Sequence, residues 1–247
     1  MKKLHLISFV GVDEQTKLED LSDNSSFIED VAVEWSVLYS DSKSIRNYIR
    51  YPSYEFCKDF LKVRPVNIHT MRSLHLCGSV IDRYLKQETD VIELCENTTR
   101  IQLNLNINNY SESEYDELVS DIVFIATKYG HHIILQQNKT KEKFMNIFMG
   151  KATFAFSLLY DSSGGFGREI ASVLPPNPLY DTGYAGGINP DNVKRIVDLI
   201  DSNNPHNIKY YIDMESGVRE NNLFSIEKCR QVIQNLKESK IEEKSNG

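Results

Sequence analysis

The chain has 247 residues, of which 40% are hydrophobic and 26% charged, and its formal net charge is −7. That composition is ordinary for a globular protein, and a chain of this length buries a large core without disulfide or metal staples. An acidic balance, with a pI near 5.4 and no basic stripe, excludes nucleic-acid binding through phosphate neutralisation and serves solubility instead.

Four cysteines, Cys57, Cys77, Cys95 and Cys229, are scattered without a CxxC pair or a His/Cys cluster. The spacing argues against a structural zinc site and a disulfide framework, and it suits a reducing, cytoplasmic compartment. The opening MKKLHLISFVGVDE has an apolar run too short for a membrane span, and acidic residues follow where a signal peptide would be cleaved. It reads as a first strand, with no membrane partner expected.

Strand-like and helix-like stretches then alternate. LHLISFVG (4–11) is followed by TKLEDL (16–21), a candidate short helix. VAVEWSVLY (31–39) precedes YEFCKDFLK (54–62), which has helical spacing. SLHLCGS (73–79) leads into VIDRYLKQ (80–87). IQLNLNIN (101–108) alternates with period two, and SESEYDELVSDIVFIATKYG after it carries an N-cap serine, early acids and a terminal glycine. HIILQQN (132–138) leads into KEKFMNIFMG (141–150), and FAFSLLYD (154–161) leads into a glycine loop. YDTGYAGGI (180–188) precedes NPDNVKRIVDLID (189–201), and KYYIDMESG (209–217) precedes SIEKCRQVIQNLKE (225–238).

Eight strand candidates, most followed by a helix candidate, imply a parallel sheet, and eight units in about 250 residues suit a single (β/α)8 TIM barrel over residues 1–240. The competing architecture, an open doubly wound sheet, normally carries its glycine fingerprint after the first strand, where this chain has only GVDEQ. Residues 241–247 are charged and are expected to fray as a disordered tail.

Three glycine-bearing turns follow apolar strands in the C-terminal half: SSGGFG (162–167), AGGINPDNV (185–193) and ESGV (215–218). Glycine lets backbone approach a ligand closely and point bare N–H groups at it. In the second turn Asn189 is a candidate N-cap with Pro190 at the first helical position, which would offer a helix N-terminus to an anion. In (β/α)8 barrels phosphate typically sits on the loops after strands seven and eight, which are the second and third turns here. Any one of these turns alone is no more than a tight turn; three on consecutive strand ends point to phosphate.

YDSSGGFG, GYAGGINPDNV and DMESGVRE, in this order and near this spacing, resemble the phosphoribosylanthranilate isomerase family of tryptophan biosynthesis, over roughly the last 65 residues before the final helix. The resemblance implies a ribulose-phosphate-binding barrel with no metal or organic cofactor. It puts the phosphate on Gly186, Gly187, Ser216 and Gly217, with help from Gly164 and Gly165. It matches the family's general acid to Asp161, and its carboxylate-holding arginine to Arg50, with Arg46 as competitor. The N-terminal half departs from the pattern. The family opens with KICGIT, whose cysteine is the general base, and aligning the glycine with Gly11 puts Val10 in that place. Valine cannot accept a proton.

A base must reach its proton and titrate near the working pH. Asp13 lies just past strand one, with solvent as its alternative environment. His75 and Cys77 share one face of strand three, where a core cysteine and a hydrogen-bonded histidine are the plainer reading. Glu34 is mid-strand and needs a partner. Asp213 and Glu215 share one face at the end of strand eight and join Arg50 as candidate substrate contacts, although Asp213 equally suits holding a loop. His131-His132 at the start of strand five and the lone Trp35 read as structural. Asn106, Asn108, Gln136 and Asn138 line a polar pocket or face solvent. The expectation is an isomerase-like barrel, monomeric or homodimeric, for a small phosphorylated sugar-like ligand. The competing expectation is a catalytically inactive phosphate-ligand binder or interaction protein on the same scaffold.

Overall fold

In the computed structural model, residues 3–22, 28–42, 49–63, 70–137, 141–161, 170 and 172–245 are described. Eight strands form a closed barrel in chain order: β1 (Leu4–Val10), β2 (Ala32–Tyr39), β3 (Thr70–Cys77), β4 (Arg100–Asn104), β5 (Ile133–Gln137), β6 (Phe156–Asp161), β7 (Asp181–Ala185) and β8 (Tyr210–Met214). Neighbouring strands are parallel, and β8 closes the barrel against β1 with Ser8 beside Asp213. The expected (β/α)8 barrel is therefore the observed fold.

Seven α-helices lie among the described residues: α1 (Tyr54–Lys62), α2 (Val80–Leu85), α3 (Thr89–Glu96), α4 (Tyr115–Tyr129), α5 (Glu142–Lys151), α6 (Val193–Ser202) and α7 (Ile226–Ser245). Their packing follows the sequence period. In α6, Val193, Ile196, Val197 and Ile200 are buried at helical spacing and face the outside of the barrel sheet. Helix α1 is capped by Ser53, whose hydroxyl accepts from the Phe56 N–H. Gly130 ends α4 in the left-handed conformation at φ 70°, as its position after the helix implies.

Several boundaries differ from the sequence expectation. The 16–21 stretch forms a 3₁₀ turn, Leu18–Ser22. Strand four stops at Asn104, and Ile107–Asn109 turn as a 3₁₀ helix. The residue before α4 is Glu114 rather than a capping serine; its carboxylate instead takes the Ser111 N–H and hydroxyl. Helix α3 is additional, because the TDVIELCE stretch follows α2 without a strand between them. A small antiparallel hairpin, β9 (Arg219–Glu220) with β10 (Leu223–Phe224), interrupts the path from β8 to α7. Helix α7 continues to Ser245, so the charged stretch expected as a separate tail is helical that far.

Inside the barrel the strands alternate as a pleated sheet requires. An apolar layer of Leu6, Ile134, Leu159 and Tyr211 crosses the interior. Gly183 makes room for it: a Cβ there would lie 2.1 Å from the Tyr211 ring. Much of the remaining interior is polar. Ser8, Glu34, Ser36, Ser73, His75, Arg100, Gln102, Ser157 and Asp213 are all buried. Barrel interiors are usually dominated by branched apolar side chains, so this polarity needs an account at each end of the barrel.

Candidate active site at the barrel mouth

Toward the N-terminal ends of the strands, Glu34, Arg100, Ser157, Asp181, His5 and His132 form one network of hydrogen bonds and ion pairs. Arg100 donates to both Glu34 carboxylate oxygens, each at 2.8 Å. It also reaches Ser157 and Asp181, and its guanidinium lies 4.3 Å from the centre of the Tyr211 ring. Ser157 donates to Asp181, whose other oxygen meets His5, and His132 meets Ser157. Burial alone would raise the Glu34 carboxyl; the Arg100 charge and its hydrogen bonds outweigh that and hold it below its ordinary value. Glu34 thus has the partner its mid-strand position demands, and it is no base. His131 is buried against Tyr84 and Tyr129, a packing role as expected. Trp35 likewise packs, stacked on Phe9 and edge-on to Phe224.

At the C-terminal ends of the strands lies a cavity of about 540 Å³. Val10, Arg50, Asp161, Gly186, Gly187, Asp213, Glu215 and Ser216 all line it. Sequence positions scattered over 200 residues therefore converge, with Val10 on the wall where the resemblance calls for a base. Gly164, Gly165, Arg46 and Asn138 lie outside the described residues.

Two carboxylates share one level of the mouth. Asp161 on β6 is in register with Ala185 on β7, and Ala185 with Asp213 on β8. Registered residues of parallel strands point the same way, and two strand spacings separate these backbones by about 10 Å. Burial pushes the Asp213 carboxyl up to about 7, with the nearby Glu34 charge adding to the rise and hydrogen bonding from Ser8 and the Arg100 charge opposing it. A carboxyl at that value exchanges protons near neutrality.

The two glycine turns form one wall. Gly186 and Gly187 have φ of 128° and 59°, values that favour glycine. Gly217 packs so closely on the preceding turn that a Cβ would fall 1.8 Å from the Ile188 carbonyl oxygen. The assigned helix α6 begins at Val193 rather than at Pro190. Asn189 nevertheless caps the turn that leads into it: its Oδ1 accepts the Asp191 and Asn192 N–H groups, and its carbonyl accepts the Val193 N–H. Asn189 and Asn192 both donate to the Gly187 carbonyl at 3.1 and 2.9 Å, which fixes the double-glycine turn.

The other base candidates fall away for separate reasons. Asp13 does not point to solvent; it is fully buried, and its carboxylate binds Arg219 and the Phe224 N–H of the β9–β10 hairpin. Burial pushes the Cys77 thiol up to about 12, and it packs with Val10 and Leu38 while Asn104 donates to its sulfur at 3.0 Å. Burial takes the His75 imidazole down to about 4. Its Nε2 is buried without a partner among the described residues. Arg50 is engaged by Glu215 at 3.0 Å and Tyr51 at 3.1 Å. Burial raises the Glu215 carboxyl, with the Arg50 and Arg219 charges opposing. Asn106 and Asn108 form a turn of their own and do not line the cavity, whereas Gln136 does.

Sequence reading missed three cavity-side groups. Gln102 and Asn104 line the mouth from β4. Lys141, which begins the segment after β5, is buried with its Nζ 3.5 Å from Gln136 Oε1. Burial lowers its ammonium and the Asp161 charge opposes that fall. The available signal was position alone: a lysine just past the end of a barrel strand, on the face where loops carry chemistry. Among the described residues, no group of three or more His, Cys, Asp or Glu side chains is arranged to hold a metal ion.

No protein-family model matches the chain, and no curated protein does. Solved structures do. Phosphoribosyl anthranilate isomerase from Thermus thermophilus is 16% identical, with 94% of this chain and 98% of that one covered at a TM-score of 0.56. The Thermotoga maritima phosphoribosylanthranilate isomerase is also 16% identical, with 95% and 99% covered and a TM-score of 0.53. Tryptophan synthase subunit alpha from Legionella pneumophila is 12% identical, with 96% and 93% covered and a TM-score of 0.57. The shared feature is the TIM barrel. At these identities the likeness extends to the scaffold and not to one family's activity.

Proposed function

We propose that this chain binds a phosphorylated sugar conjugate at the barrel mouth and isomerises it by proton transfer between two carboxylates. One observation carries the reading: Asp161 and Asp213 lie at one level of a single cavity, whose wall is built from the Gly186–Gly187 and Ser216–Gly217 turns. The turns would hold the phosphate through backbone N–H groups and the Ser216 hydroxyl. Asp161, with Lys141 nearby, would protonate the sugar oxygen as the ring opens. Asp213 would remove the C2 proton. Its strand pairs with β1, so it replaces a missing group on that strand from the adjacent one. Its raised value suits a base that must later return the proton.

Val10 in place of a cysteine leads to a further expectation: turnover of anthranilate-ribose phosphate is very slow or absent. Rescue of a tryptophan auxotroph lacking that isomerase would contradict this.

The general reading is tested by incubating the protein with a pentose phosphate in deuterated water and following loss of the C2 proton signal by NMR. Exchange in the wild type that disappears in both Asp161→Asn and Asp213→Asn, with phosphate binding retained, supports the isomerase. The replacement of the base position by Val10 favours one second reading, a silent phosphate-ligand binder. Phosphate binding without any exchange would select it.

A further inference from the structure

Opposite the glycine turns, the cavity is floored by β3 and β4. His75 and Gln102 are registered neighbours there, 2% and 3% exposed, and both line the cavity. Each carries a buried polar atom without a partner among the described residues, His75 Nε2 and Gln102 Oε1. Leaving such atoms without a hydrogen bond is costly, and folded proteins keep them where something else supplies the bond. Asn104 fixes the arrangement: its Oδ1 takes the Gln102 Nε2 at 2.6 Å while its Nδ2 donates to Cys77. The Gln102 amide is thereby turned so that its oxygen is the group left over.

The electrostatics of this floor are those of neutral groups beside acids. His75 is uncharged near neutrality, and Gln102, Asn104 and Gln136 carry no charge. The acids of the lining are Asp161, Asp213 and Glu215, and its arginine among the described residues, Arg50, is paired with Glu215. A ligand carboxylate only accepts hydrogen bonds, so it cannot satisfy Gln102 Oε1, and it would face those three acids. A hydroxyl donates and accepts, and a vicinal pair matches one acceptor beside an imidazole.

We infer that His75 and Gln102, held by Asn104, form a subsite for the hydroxyl groups of a neutral polyol end of the ligand rather than for an aromatic carboxylate. This deepens the proposed function and rests on its phosphate site for the other end of the molecule.

Calorimetric titration with inorganic phosphate, a pentulose phosphate and a 2-carboxyphenyl-amino deoxypentulose phosphate tests it. The expected order puts the pentulose phosphate about tenfold or more below inorganic phosphate in Kd, as two neutral hydrogen bonds imply. Gln102→Leu and His75→Leu should each remove most of that gain and leave inorganic phosphate binding unchanged, while His75→Gln should restore part of it. Thermal unfolding of each variant identifies any that fail to fold, and His75→Gln then stands in. Tighter binding of the carboxyphenyl conjugate than of the pentulose phosphate overturns the inference, as does a gain that survives Gln102→Leu. If inorganic phosphate does not bind at all, the phosphate site is wrong. Saturable binding of the unphosphorylated pentulose that Gln102→Leu abolishes would then still uphold the subsite, and its absence would sink both.

Discussion

The two ends of the barrel are both lined with polar side chains, yet they are built on opposite rules. Below the apolar layer, Glu34, Arg100, Ser157, Asp181, His5 and His132 form one connected network in which opposite charges meet. Above it, among the described residues, Asp213 is buried without a paired cation, and His75 and Gln102 keep unpartnered atoms. Polarity inside a protein is therefore not one signal. Where every group finds its complement, the network sets strand register and shape; where groups stay unmatched, the structure carries a standing cost that a ligand can relieve.

The largest test of this contrast is at the lower end. Arg100→Met should leave the Glu34 carboxylate buried and unpaired, at a cost of about 3–5 kcal/mol in denaturant unfolding. The double variant Glu34→Leu with Arg100→Met should be clearly less destabilised than the single one. If Arg100→Met alone is nearly neutral, the lower network is not the satisfied unit described here.

Asp213 offers the opposite sign at the mouth. Its folded value, about 7, lies above the ordinary 3.8, so the folded state binds the extra proton between those values. Stability from this group is full below roughly pH 4 and declines as pH rises through about 7. Asp213→Asn should thus stabilise the protein at pH 8 by about 2–4 kcal/mol and much less at pH 4, read from thermal or urea unfolding across pH. The same variant should lose proton exchange. A destabilising effect at pH 8 would show that the mouth carboxylate is paired like the lower ones.

Gly217→Ala should force the 215–218 turn away from Ile188. An overpacking cost of about 1–3 kcal/mol is expected, together with loss of inorganic phosphate binding by calorimetry. Retained phosphate affinity would remove that turn from the site. The smallest effect belongs to Glu215→Gln. Its partner Arg50 is half-exposed, so stability should change by less than about 1 kcal/mol. Freeing Arg50 should nonetheless improve binding of the carboxyphenyl conjugate relative to the pentulose phosphate, and an unchanged ratio would show that Arg50 does not set that preference.

The strands and most helices were legible because burial imposes a local period, and the glycine turns after β7 and β8 were legible because φ and close packing restrict which residues fit. What was not legible depends on contacts distant in sequence. Glu34 and Arg100 are 66 positions apart, and nothing in either strand names the other. Asp13 looked solvent-facing because its captor, Arg219, lies 206 residues away. Gln102 read only as one polar residue in an alternating strand; its importance arises from Asn104 turning its amide and His75 sitting beside it. Asp161 and Asp213 were both visible as strand-end acids. The raised value of Asp213 comes from burial and from the nearby Glu34 charge, which only the closed barrel creates.

The clasp between Arg219 and the first loop has a consequence for how the molecule is made. Arg219 donates to the Gly11 carbonyl, occupies the space a Cβ on Gly11 would need, and binds Asp13. Strand β1 is the first to be synthesised, but one of its edges has no partner until Tyr210–Met214 is made. At about 5–20 residues per second, that edge waits roughly 10–40 s during translation. The seam between β1 and β8 thus cannot form before β8 is made, and the hairpin that follows β8 supplies the Arg219 that clasps it.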